Sequence, residues 1–191
     1  MTFLKDTNSG KLLKEIRANS PLIWNISNFV SMDIAANMLL SIGASPAMAH
    51  AIEEAESFAN LSKAINGALT INIGTFDKHW QKCAVKVANE AKLHDIPWVL
   101  DPVGAGASEF RSNNAKELLL LKPTVLRGNG SEIISISGIS NSGKGVDSTS
   151  SSNEALDAAI KISNDNDIIV AITLSLIHIS EPTRQAEISY A

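Results

Sequence analysis

Four polar residues could do chemistry together. Arg127, Asn129 and Glu132 crowd the short segment Leu126-Arg127-Gly128-Asn129-Gly130-Ser131-Glu132-Ile133, and Asp101 stands before Pro102 in an earlier apolar run. Arginine clamps phosphate oxygens, and carboxylate or amide oxygens bind Mg²⁺ directly or through its waters. The bland alternative is an Asn-Gly turn followed by a glutamate in a first helical turn, where the macrodipole favours negative charge anyway. Taken alone, the segment favours that alternative. Asp101 at an adjacent strand end shifts the balance, because an acidic and an electropositive strand end side by side suit phosphoryl transfer.

Such residues need elements to bring them together. Short runs rich in Val, Ile and Leu at 22–26, 46–49, 68–73, 98–103, 124–126 and 168–173 alternate with helical periodicity at 33–41, 53–65, 77–93, 114–121 and 153–163. This is a βα rhythm, read as an α/β fold whose strands are buried on both faces of a mostly parallel sheet. Asp77 is placed to cap the helix that follows it. Parallel sheets bind ligands in the crevice beyond the carboxyl ends of their strands. Ser27 and Asn28, Gly74 and Thr75, Gly104 to Gly106, and Gly128 to Gly130 are therefore expected at one rim, with Asp101 pointing toward it.

Two glycine-rich stretches are less than they resemble. Gly138 to Gly145 nearly matches a P-loop, but Gly145 stands where a Ser or Thr hydroxyl should hold magnesium, so that reading is rejected. Gly104-Ala105-Gly106 lacks the third glycine of a dinucleotide fingerprint. A tight turn and a loop whose amides approach phosphate are equally consistent with it. The stretch 141–153 reads as a surface loop or flap.

Composition narrows the classes further. The 191 residues, 45% hydrophobic and 19% charged, suffice for a single domain with a sizeable core. A net charge of −4 leaves no basic surplus for nucleic acid. The polar start and the lack of an apolar run approaching about 20 residues argue against a signal peptide and a membrane span. Cys83, the single cysteine, can form no internal disulfide, and a buried core role is expected for it. The expectation is a cytoplasmic protein. His50, His79, His94 and His178 lack ligand spacing and suit surface or helix-end positions. Trp24 and Phe29 read as core, although aromatic groups at a rim can also line a flat ligand.

Read together, PLIWNISNFVSMDIAANMLLSIGASPAMA, LTINIGT, WVLDPVGAGASEFR and VLRGNGSEI resemble the hydroxyethylthiazole kinases of thiamine salvage, members of the ribokinase-like superfamily. The resemblance runs from about Leu12 to Thr173. It implies a ribokinase-like domain over residues 1–173 and ATP- and Mg²⁺-dependent phosphorylation of 4-methyl-5-(2-hydroxyethyl)thiazole. It also implies a homotrimer with active sites between subunits. By the same resemblance Met48 and Asn28 contact the thiazole, Arg127 and Thr173 contact ATP, and Asp101, Asn129 and Glu132 serve magnesium and phosphate. Trp24 and Phe29 depart from the His and Asn of some family members. Kinases of hydroxymethylpyrimidine or pyridoxal, and a non-catalytic thiazole binder, are the alternatives.

After Thr173 the chain reads LSLIHISEPTRQAEISYA, which leaves the family pattern and resembles translated sequencing-adapter DNA. Residues 174–191 are expected to be a non-family tail. The family's Gly-rich loop and catalytic cysteine have no counterpart, so no catalytic residue is assigned and the chain is expected to be inactive.

Overall fold

The computed structural model describes residues 9–138 and 148–173. In chain order the elements are α1 (Ser9–Asn19), β1 (Leu22–Ile26), α2 (Met32–Ile42), β2 (Ser45–Ala47), α3 (Ala55–Ala64), β3 (Ala68–Asn72), α4 (Lys78–Leu93), β4 (Trp98–Asp101), α5 (Glu109–Leu119), β5 (Val125–Asn129), α6 (Gly130–Ser137), α7 (Ser148–Asn166) and β6 (Ile169–Thr173). The strands form one six-stranded sheet in the order β2-β1-β3-β4-β5-β6. Every pairing is parallel.

That order dictates where the helices go. After β1 the chain steps one way to β2; every later step runs the other way, and right-handed crossovers then place α3 to α7 on a single face. Packing agrees. Trp24, Ile26, Leu69, Ile71, Trp98, Leu100 and Leu126 point into one continuous core with Ala59, Val87, Leu118, Ile133 and Ile162 of those helices. On the opposite face Thr70, Val99 and Val125 are only half-buried, and Ile169 is 60% exposed. The expectation of strands buried on both faces is therefore corrected: among the described residues, the second face is left largely open from β3 to β6.

Some boundaries also move. The polar start, to which the periodicity assigns no element, forms α1, its Arg17 stem lying against the left-handed Gly43 at the end of α2. Helix α5 begins at Glu109 because the Ser108 hydroxyl accepts from the Arg111 amide. Strand β5 continues through Arg127, Gly128 and Asn129, which align with Ala171, Ile172 and Thr173 of β6. Helix α7 starts at Ser148, inside the stretch read as loop, while 139–147, with most of the P-loop-like motif, lies outside the described residues. Asp77 caps α4 as expected, accepting from the Trp80 amide at 2.8 Å. Among the described residues no helix is long and apolar enough to cross a membrane.

A one-faced core has unequal sensitivity to truncation. Leu100→Ala, which empties a fully buried site, should cost about 2–5 kcal/mol in urea unfolding. Val99→Ala, one residue away on the open face, should cost about 1 kcal/mol or less; equal losses would contradict this layering.

Candidate functional site

The carboxyl ends of β1, β3, β4 and β5 carry a row of polar side chains joined by hydrogen bonds. Asn28 follows β1 and is buried; its Oδ1 accepts from the backbone amides of Val30 and Ser31, at 2.9 and 3.0 Å, at the approach to α2. Its Nδ2 donates to Asn72 Oδ1 at 2.8 Å, and Asn72 Nδ2 donates to Asp101 Oδ2 at 2.9 Å. Arg127 donates from Nη1 to the same Asp101 oxygen at 3.1 Å. The register explains the row, since Asn72 lies level with Asp101 and the β4–β5 ladder brings Arg127 alongside.

Glu132 approaches from α6. Asn129 and Glu132 form a reciprocal capping box: Asn129 Oδ1 accepts from the Glu132 amide and Glu132 Oε2 accepts from the Asn129 amide at 2.8 Å. Glu132 Oε1 accepts from the Gly104 amide at 3.0 Å, binding the β4–α5 loop to the start of α6. Gly128 eases this approach, because a Cβ there would lie 3.2 Å from both Glu132 Oε2 and Ile133 Cδ1 and would push them back by a few tenths of an ångström.

Electrostatics centre on Asp101. Burial raises its carboxyl pKa above the ordinary 3.8; Glu132 pushes it the same way, while Arg127 and the Asn72 amide pull it down without overcoming burial. Magnesium takes oxygen ligands and retains several waters, so a site with one or two carboxylates suffices. Asp101 can supply one such carboxylate; both Glu132 oxygens already accept from backbone amides, so Glu132 would act through magnesium's waters, and among the described residues no group of three or more His, Cys, Asp or Glu offers a fuller metal cage. Among the described residues both donors to Asp101 reach Oδ2, and none reaches Oδ1. Asn129, expected among the metal ligands, already spends its oxygen on Glu132 and Ser131.

Other expectations divide. Thr173 ends β6 beside Asn129 and is exposed at the same rim, and Met48 follows β2, half-buried. Trp24 is core, stacked on Phe58 with its indole N–H on the Ala49 carbonyl. Phe29 is not core: it is 68% exposed and stands edge-on to Trp80 at the β1 rim. His94 caps α4 and His79 lies in its exposed first turn, but His50 stacks on Trp80 with ring centroids 4.5 Å apart; His178 lies outside the described residues. Cys83 is buried, donates to the His50 carbonyl, and has its thiol pushed up to about 11 by burial. The amides of Gly104, Ala105, Gly106 and Ala107 are all satisfied internally, so this loop is a tight turn and not an open phosphate cradle.

Sequence reasoning missed Asn72 and Arg111. Asn72 sits within an otherwise apolar strand, and only knowledge of the register would have placed it against Asp101. Arg111 donates to the carbonyls of Ile73, Val103 and Gly74 at 2.6, 3.1 and 2.7 Å, fastening the β3 and β4 loops together.

The profile of the Hydroxyethylthiazole kinase family matches residues 13–190. This chain belongs to that family. A hydroxyethylthiazole kinase of Rhizobium rhizogenes is 48% identical over 167 residues, covering 87% of this chain and 61% of the relative. One from Roseobacter denitrificans is 45% identical over 178 residues, covering 93% and 68%. The solved hydroxyethylthiazole kinase protein from Pyrococcus horikoshii OT3 superposes with a TM-score of 0.74 at 39% identity, covering 85% of this chain and 59% of that one. The chain thus spans about three-fifths of the length of the Rhizobium rhizogenes and Pyrococcus horikoshii proteins.

The raised pKa of Asp101 has a signed consequence. The folded state keeps this proton to higher pH than the unfolded chain, so stability contributed by the group falls as pH rises from about 4 through the raised value. Asp101→Asn removes that slope. The stability of the variant relative to wild type should increase across this window in urea unfolding; a difference independent of pH would contradict it.

Proposed function

We propose that the rim site phosphorylates the hydroxyl of 4-methyl-5-(2-hydroxyethyl)thiazole with ATP and Mg²⁺. The observation that carries this reading is the direct Asp101–Arg127 contact beside Glu132 at neighbouring strand ends, within a chain of this family. The half-exposed Arg127 guanidinium can turn from its carboxylate to phosphate oxygens. Thr173, next to it on the rim, adds a hydroxyl toward the nucleotide.

Magnesium, when bound, neutralises charge on the phosphate oxygens. Asp101 would hold it, Glu132 would reach it through its waters, and Asn129 would contribute by fixing Glu132. Asn28 and Met48, at the ends of β1 and β2, form the thiazole side of the cleft.

The reading is tested by incubating the protein with ATP, Mg²⁺ and the thiazole alcohol, with hydroxymethylpyrimidine and pyridoxal as competing acceptors. Transfer preferring thiazole supports it. Preference for another acceptor, or thiazole binding without any product from a full-length form, overturns it. In an active form, Arg127→Ala should weaken use of ATP by about 1.5–3 kcal/mol, seen as a raised KM for ATP or lowered kcat/KM; unchanged values would exclude the phosphate role.

A homotrimer fits the apolar surface beside the site. Phe29, Val30, Ile34 and Met38 are each more than 60% exposed around the start and face of α2, a helix with no buried residue. A contiguous patch of this kind marks an interface. Ile34→Glu should shift sedimentation from trimer to monomer; a wild-type monomer would refute the assembly.

A further inference from the structure

We propose that Asn72 is a positioning residue that joins the alcohol side of the cleft to the phosphate side, by locking Asn28 and Asp101 into one directed hydrogen-bond chain. The proposal rests on the phosphotransfer reading above for its catalytic consequence, but its geometric content stands separately.

The direction of the chain is fixed by groups that can only donate or only accept. The Gly74 amide donates to Asn72 Oδ1 at 2.9 Å, which sets the orientation of the Asn72 side-chain amide. Asn28 is oriented in the same way by the Val30 and Ser31 amides, leaving its Nδ2 to donate to Asn72. The remaining Asn72 N–H therefore faces Asp101 Oδ2, a carboxylate oxygen that accepts. Turning the Asn72 amide over would set N–H against N–H at Gly74 and at Asn28, and oxygen against oxygen at Asp101.

The backbone beneath is equally constrained. Arg111 holds the carbonyls of Ile73 and Gly74, and the Phe29 amide donates to the Thr75 hydroxyl. Gly74 leaves no alternative, because a Cβ there would stand 2.7 Å from Asn28 Nδ2. When Arg127 turns to phosphate, Asn72 is the donor that still holds Oδ2, which leaves Oδ1 of Asp101 for reacting groups. Displacing Asn72 would let Asp101 rotate and would uncouple it from the loop that meets the substrate.

Two measurements test this. In transfer assays of an active, full-length form, Asn72→Val should lower kcat about 10-fold or more while KM for ATP and the alcohol stay within about 3-fold, as expected for lost alignment and not lost binding. Wild-type kcat would overturn the proposal. The second readout needs no turnover: Asp101→Asn should shift the Asn28 side-chain amide resonance in the wild-type background and leave it unmoved in the Asn72→Val background. An equal shift in both backgrounds would overturn it. If Asn72→Val does not fold, Asn72→Ala serves in both measurements, since it too removes the acceptor for Asn28 and the N–H toward Asp101. Failure of a full-length form to transfer phosphate would count against the phosphotransfer reading, and the resonance measurement would then decide the Asn72 proposal.

Discussion

The arrangement depends on a carboxylate held partly out of water at a strand tip. Asp101 is disfavoured as an anion by burial and by Glu132, and it is kept in place by donors from two neighbouring strands, Asn72 and Arg127. Such a group is poised toward cations and acidic protons, because either would relieve the burial penalty that its own protein partners relieve incompletely. The surrounding devices serve this condition. Gly128 lets Glu132 come close, the capping box aims it, and Arg111 anchors the loop that carries Gly74 and Thr75.

Much of this was legible before any coordinates. Alternating apolar runs and helical periods foretell a parallel α/β sheet, and the rule that such sheets bind at their strand carboxyl ends places Asp101 near Arg127. What escaped is cross-strand information. Asn72 looks like one polar residue in LTINIGT until register sets it beside Asp101, and Arg111 looks like a helix surface residue until the loops fold over it. Gly128 and Gly130 were read as punctuation ending a strand at Leu126, whereas β6 pairing carries β5 through Asn129. Asn129 shows the competing effect most plainly: an amide suited to a metal is equally suited to an N-cap, and the start of α6 takes it.

The sheet's open face has the same origin. Apolar runs identify strands that can be buried on both faces, but the strand order decides which faces the crossovers cover. With all steps after β2 running one way, α3 to α7 accumulate on one side, and the half-buried Thr70, Val99 and Val125 remain on the other. The donor chain from Asn28 to Asp101 runs along the rim of this open face, so whatever covers it in the functional protein also shapes the cleft.

Whether Asp101, Arg127 and Glu132 together grip a metal–nucleotide at this rim is decided by the anomalous scattering of Mn²⁺ in crystals grown with a non-hydrolysable ATP analogue. A single strong peak is expected between Asp101 Oδ1 and Glu132, with phosphate oxygens beside Arg127. A peak elsewhere, for example at the opposite strand ends in the cleft of ≈ 490 Å³ lined by Lys122, Thr124 and Asp167, would contradict it.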